Sequence, residues 1–222
     1  MNWLSFFDIN HVFFEILNYP VSYIEFVGTL AGIIAVFLAA KSNIYTWPIG
    51  LINIVLFFII FYRVHLYSDM FLQVYFFAIG IYGWIYWLKK NTIEVKIKLL
   101  SYRQRIQWSI CIVVATLLLG FCISKIHIWL PSLFPNPAAF AYADTFVAVT
   151  SVVANTLMAR RILENWILWI LVDIICVYLY FSKGIIFVSF EYLIFLGLAI
   201  YGHIRWLNEY KVELSKKIIF IR

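Results

Sequence analysis

Residues 164–181 read ENWILWILVDIICVYLYF. The run is apolar and long enough to cross a bilayer core of about 30 Å as a helix. Yet it carries Trp166, Trp169 and Asp173, spaced so that all three share one helical face. A carboxylate in mid-span costs roughly 2–3 kcal/mol or more even on lenient insertion scales, so it belongs against a polar partner or a water-filled cavity. Similar apolar runs recur along all 222 residues. The chain is 65% hydrophobic and 20% aromatic, only 13% of it is charged, and its mean hydropathy is +0.94. A soluble domain carries about a quarter charged residues. The sequence is that of an all-α integral membrane protein, without the alternating segments of a membrane barrel.

Working outward from this run, seven spans are expected: 24–40, 47–62, 69–88, 107–124, 144–159, 165–181 and 185–206. Pro48 falls in the first turn of the second, where its missing N–H costs nothing. The basic residues gather on one side. Lys89, Lys90, Lys96, Lys98, Arg103 and Arg105 lie in the loop after the third span. Lys41, Arg160, Arg161, Arg205, Lys211, Lys216, Lys217 and Arg222 fall on the same side, and only Arg63, Lys125 and Lys183 lie opposite. Positive charge marks the cytoplasmic face, so the N-terminus is expected outside and the C-terminus inside. The net charge of +6 therefore reports topology, and no nucleic-acid partner is expected. Cys111, Cys122 and Cys176 lie in apolar runs and read as reduced, small hydrophobes. The first residues, MNWLSFFDINHVFFEIL, lack the basic start and cleavage site of a signal peptide and suit a short interfacial helix. Trp3, Trp87, Trp108 and Trp206 sit near span ends and read as interfacial belt anchors.

Residues 25–87 align with 144–206 at a constant offset of 119 without gaps: Trp47 matches Trp166, Phe71 matches Phe190, and IYGWIYW (81–87) matches IYGHIRW (200–206). A three-span unit reverses direction, and the single span 107–124 restores it. The expected architecture is 3+1+3, two parallel triple-helix bundles related by an axis along the membrane normal, with a site between them near the midplane. The divisions follow: 1–22 an N-terminal interfacial segment, 23–88 the first bundle, 89–143 the basic loop, linker helix and outer loop, 144–206 the second bundle, 207–222 a basic cytoplasmic tail.

Strongly polar residues inside the spans are few: Asn53 and Gln73 in the first bundle, Asn155, Asp173 and Glu191 in the second. The repeat offset sets Gln73 against Tyr192, beside Glu191, and Asn53 against Val172, beside Asp173. Polar groups thus face each other at similar depth from the two bundles. Asn53 and Gln73 also have a simpler reading as hydrogen-bonding glue between helices, and Glu25 and Asp144, at span starts, as acids complementing a helix dipole. Trp166, near a span end, reads equally as belt or site, while Trp169 is deeper. No hydrolase, zinc-protease or nucleotide-binding motif is present, and no ATP-binding segment. Aromatic faces beside acids and amides suit a flat, hydroxylated, cationic small molecule.

These motifs carry a resemblance. VGTLAGI (27–33), GLIN (50–53), LYSDMFLQVYFFAIGIYGW (66–84), ENWILWILVD (164–173) and FEYLI (190–194) make the chain, from Tyr23 to Trp206, similar to the PnuC-type vitamin transporters, whose layout is SWEET-like with an added linker helix. The resemblance implies uptake of nicotinamide riboside, an NAD precursor, across the bacterial inner membrane. It implies facilitated diffusion with alternating access, trapping by a separate kinase, no cofactor, and a homotrimer in the lipid bilayer. It maps the family's tryptophan motif onto Trp166, Trp169 and Asp173, and its glutamine onto Gln73. Asp173 stands where the family often has asparagine. The expected substrate contacts are Trp166, Trp169, Asp173, Gln73, Asn53, Glu191 and Tyr192. Thiamine or riboflavin transport and proton-coupled symport are the alternatives, and a membrane-embedded enzyme or receptor using Asp173 and Glu191 is the contrasting class.

Overall fold

The computed structural model describes residues 11–16, 19–63, 67–90, 97–132, 137–182 and 184–221. A short antiparallel hairpin, β1 (Val12–Ile16) and β2 (Tyr19–Ser22), leads into seven helices: α1 (Tyr23–Ala40), α2 (Thr46–Arg63), α3 (Tyr67–Lys90), α4 (Tyr102–Trp129), α5 (Ala141–Ala159), α6 (Asn165–Ser182) and α7 (Ile186–Ile221). Their starts are written in the local sequence. Ser22 accepts from Glu25 N while the Glu25 carboxylate reaches back to Ser22 N, a reciprocal cap that satisfies two amides left without helical partners. Ser101 and Gln104 do the same for α4.

The repeat is visible in the helix bounds. An offset of 119 separates Ala40 from Ala159, Thr46 from Asn165, Arg63 from Ser182 and Tyr67 from Ile186. The turns after α1 and α5 match as well: Ser42 (φ 54°) and Arg161 (φ 55°) both take the left-handed conformation, uncommon for residues with a Cβ. Packing closes a ring in the order α1, α2, α3, α5, α6, α7 and back to α1, with α4 outside it against α5. Small residues let the ring tighten: Gly28, Ala31, Gly32 and Ala35 are buried on α1, and Thr150, Ser151 and Ala154 at the matching turns of α5. The outer faces expose large apolar side chains, among them Ile52, Phe71, Leu117, Leu118 and Ile174. Lipid, not water, is the solvent for such a surface.

Several expectations change. Among the described residues, six helices are long and apolar enough to cross a membrane, and α5 is not among them. It carries Asp144, Asn155 and several hydroxyls, eight of its 19 residues are buried, and Thr145 and Thr156 turn their hydroxyls onto Ala141 O and Val152 O, four residues back. Residues 12–16 and 19–22 form strands where an interfacial helix was expected; Phe13 and Phe14 pack on Tyr23 and Phe26 from there. Helix α4 extends well beyond 107–124, and α7 continues through the tail to Ile221. Trp87 and Trp206 are not belt anchors: they are 3% and 0% exposed, at the centre of the largest core cluster. Trp108 is half-buried against a second cluster with Leu157 and Ile112. Trp3 lies outside the described residues.

The basic loop after α3 is anchored. Lys98 N donates to Arg161 O and Leu163 N to Lys98 O, both at 2.9 Å, a one-residue strand pairing with the turn between α5 and α6. Glu164 then accepts from Leu100 N at 3.1 Å and pairs with Arg105 at 2.9 Å.

Candidate functional site

The helix ring encloses a cavity of about 550 Å³. It is lined from α1, α2, α3, α5, α6 and α7, with Tyr19 added from β2; among its described lining residues none belongs to α4. All seven expected contacts, Asn53, Gln73, Trp166, Trp169, Asp173, Glu191 and Tyr192, face this one space.

Helix α6 supplies the long axis. Trp166, Asp173 and Tyr180 follow one another by seven residues, two turns each, so this face runs roughly 21 Å along the cavity. At one end the floor is made by Trp47 and Trp166, with Ala39, Met158 and Ala199. Trp166 is 1% exposed and stands edge-on to Trp206, with ring centroids 5.5 Å apart at 88°. Trp47 stands to Trp87 in the same way, at 5.4 Å and 89°. Both floor rings lie over glycines, Gly83 and Gly202, where an added Cβ would run into the indole.

In the middle, Asp173 is 4% exposed. Asn53 donates to Gly28 O at 2.8 Å, so it ties α2 to α1 and borders the cavity at once. Phe195 and Tyr192 are set edge to face, and Tyr192 stacks on Tyr180 with centroids 5.4 Å apart at 11°. At the far end Glu191 of α7 is hydrogen-bonded to Thr29 of α1. Tyr19 donates to Glu25 at 2.7 Å and stacks on Phe187 at 5.1 Å, so it spans from the first bundle to the second. Burial first, and the Glu25 carboxylate second, push the Tyr19 phenol well above its usual range; it stays protonated and remains a donor.

Some lining residues were not assigned from sequence. Tyr180 had a readable signal, since it continues the Trp166–Asp173 face by two more turns. Trp47 had one too, as the repeat partner of Trp166. Asn155 stood out as a polar residue in a span and borders the cavity from α5, while Glu25 serves both as a helix cap and as lining. Tyr19 and Thr29 had none, because neither a hairpin folded over the mouth nor a threonine on a small-residue face shows in helical periodicity.

The chemistry on offer is stacking on indole and phenol faces, hydrogen bonds from amides, and attraction for positive charge. Glu25, Asp173 and Glu191 are acidic, and no Lys or Arg appears among the described lining residues.

Comparison with known proteins adds the following. A family model described as nicotinamide mononucleotide transporter matches residues 22–208. The nicotinamide riboside transporter PnuC of Escherichia coli (strain K12) is 32% identical over 239 aligned positions, covering 97% of this chain and 99% of the relative. The riboflavin/roseoflavin transporter RibM of Streptomyces davaonensis is 27% identical, with 93% and 92% covered. PnuC of Neisseria mucosa is 31% identical, with 91% and 78% covered. Among solved structures, the crystal structure of the vitamin B3 transporter PnuC superposes with a TM-score of 0.65 at 27% identity, covering 85% of this chain and 82% of that one.

Proposed function

Because the chain belongs to the nicotinamide mononucleotide transporter family, we propose that it carries nicotinamide riboside across the bacterial inner membrane by facilitated diffusion. The observation that supports this most is the convergence of Trp166, Trp169, Asp173, Gln73, Asn53, Glu191 and Tyr192, from both halves of the repeat, on one cavity. A pyridinium ring stacks on an indole and is attracted by its face. The ribose hydroxyls find Asn53, Gln73 and Asp173. The carboxylates offset the cationic ring.

The same charge balance favours the nucleoside over the nucleotide. A phosphate group leaving water needs a cationic partner or several donors, and the lining offers three acids instead. Rocking of the two bundles exposes the cavity to either side in turn, a separate kinase traps the product by phosphorylation, and the protein itself performs no chemistry. The family resemblance implies a homotrimer, and the asymmetry of Lys and Arg an N-terminus out and a C-terminus in.

A thermal-shift panel tests the substrate. Free ligand at about 100 times its Kd adds roughly 2.7 kcal/mol of stability, so nicotinamide riboside is expected to raise Tm clearly. Nicotinamide mononucleotide is expected to leave it unchanged. A larger shift with riboflavin or thiamine overturns the substrate assignment in favour of a related vitamin, the direction in which the RibM likeness points. In proteoliposomes the substrate is expected to equilibrate unchanged, and an imposed pH gradient should not drive it above equilibrium. Accumulation under the gradient would make the protein a symporter, and conversion of the ligand would make it an enzyme.

A further inference from the structure

Below the cavity floor, the two halves of the repeat are bonded to each other reciprocally. Trp87 of α3 donates from Nε1 to Ala159 O at the end of α5, at 3.1 Å. Its repeat partner Trp206 of α7 donates to Ala39 O at the end of α1, at 3.0 Å. Arg161 lies between them, 8% exposed. Its guanidinium is 4.5 Å from the Trp87 ring and 6.0 Å from that of Trp206, and its Nη2 donates to Ser42 O at 3.2 Å. Ser42 in turn donates from Oγ to Glu209 at 2.9 Å. Every one of these bonds crosses from one bundle to the other. Three of the four acceptors are carbonyls, in the last turns of α1 and α5 and in the turn just beyond, where a helix leaves C=O groups short of internal partners; the fourth is the Glu209 carboxylate.

That choice of acceptor matters. Carbonyls of the mid-helix ladder keep their partners whatever the bundles do, whereas these offer a lone pair that takes either the cross-bundle donor or water; Ala39 O keeps its turn bond from Ser42 N, at 2.9 Å, in both cases. Parting the bundles at this end lets water replace each indole at little net cost, because exchanging one hydrogen bond for another is nearly balanced. Parting them without water would strand several buried polar groups. The plate therefore separates only as an aqueous opening. By the charge asymmetry this is the cytoplasmic end, where Lys41, Arg160 and Arg205 also lie.

We propose that Trp87, Trp206 and Arg161 form the inner gate, closed in this structure, whose separation opens the cavity to the cytoplasm. The proposal deepens the transporter reading and rests on it. The test measures gate opening apart from transport. In a background with Cys111, Cys122 and Cys176 replaced by Ala, Ala39→Cys places a thiol at both the floor and the gate. A membrane-impermeant maleimide is then applied to the cytoplasmic face of inside-out vesicles. Trp87→Phe and Trp206→Phe keep an aromatic ring at each position and delete the N–H groups, and the pair is expected to raise the labelling rate at least tenfold. Arg161→Lys keeps the charge but loses the planar stack and fork, and is expected to raise the rate severalfold on its own, so the test stands even if the tryptophan double variant does not fold. Unchanged labelling in the variants that fold overturns the gate. Nicotinamide riboside binding and flux, measured on the wild-type protein in parallel, test the transporter reading separately, so failure of one is distinguishable from failure of the other.

Discussion

Asp173 poses the sharpest question at the scale of single residues. It is nearly fully buried in mid-helix and borders the cavity, where an asparagine would supply a comparable acceptor without the charge. Asp173→Asn is expected to weaken nicotinamide riboside binding about tenfold, ~1.4 kcal/mol, and to leave binding of uncharged nicotinamide unchanged in a calorimetric titration. Equal weakening of both ligands would show that the carboxylate does not act through charge. Trp169→Ala removes a stacking face, an effect of about 1–3 kcal/mol for a flat base, so a five- to 150-fold loss is expected; wild-type affinity would remove it from the binding wall. These positions were legible because intramembrane polarity is rare and helical spacing puts it on one face. The roles of Trp87 and Trp206 were not legible. A tryptophan near a span end is ordinarily a lipid anchor, and only the packing of one bundle on the other shows their N–H groups reaching carbonyls more than 70 residues away.

At the scale of elements, the repeat explains two glycines that composition alone would treat as weak points of a helix. Gly83 and Gly202 occupy equivalent turns of α3 and α7, each directly under an indole of the cavity floor. A Cβ at Gly202 would lie 2.7 Å from the Trp166 ring, and that ring is held by Trp206 and cannot swing freely. Replacing glycine by alanine in a helix normally gains about 1 kcal/mol. Overpacking a tight core costs typically 1–3 kcal/mol, and here the cost wins. Gly202→Ala is expected to lower Tm and to weaken substrate binding by displacing Trp166. Gly197→Ala, on the same helix with nothing within 4 Å of the added carbon, is expected to raise Tm slightly. A stabilised Gly202→Ala would show that the floor ring is free to move. The Tyr-Gly match between 81–87 and 200–206 made the repeat readable from sequence, but not its reason. The N-terminal hairpin was unreadable for a related cause: Phe13, Phe14 and Tyr19 suit either a helix lying in the interface or a strand, and only their contacts on α1 and α7 decide.

The whole molecule turns on whether α5 crosses the membrane. Among the described residues six helices qualify by length and apolarity alone, and an even number would return the C-terminus to the side of the N-terminus. It would also leave α5 and α1 unable to play matching parts, although their ends and small-residue faces correspond at the same offset. The ring offers a physical route to a seventh span. Helix α5 packs against α3, α4 and α6, so its polar groups meet protein and cavity rather than lipid, and a span shielded in this way need not satisfy a hydropathy threshold. Sequence periodicity thus carried the count of helices, while the shielding that would let α5 serve as a seventh span is a property of the assembled ring. The consequence is measurable with reporter fusions. A reporter fluorescent only in the cytoplasm, fused after Arg222, is expected to light up, and a phosphatase active only outside, fused at the same point, to stay silent. Moving the fusion point from the loop after α4 to the turn after α5 should reverse both signals. If the two points report the same side, α5 does not cross, and the parallel pairing of the bundles, with the cavity assigned between them, fails with it.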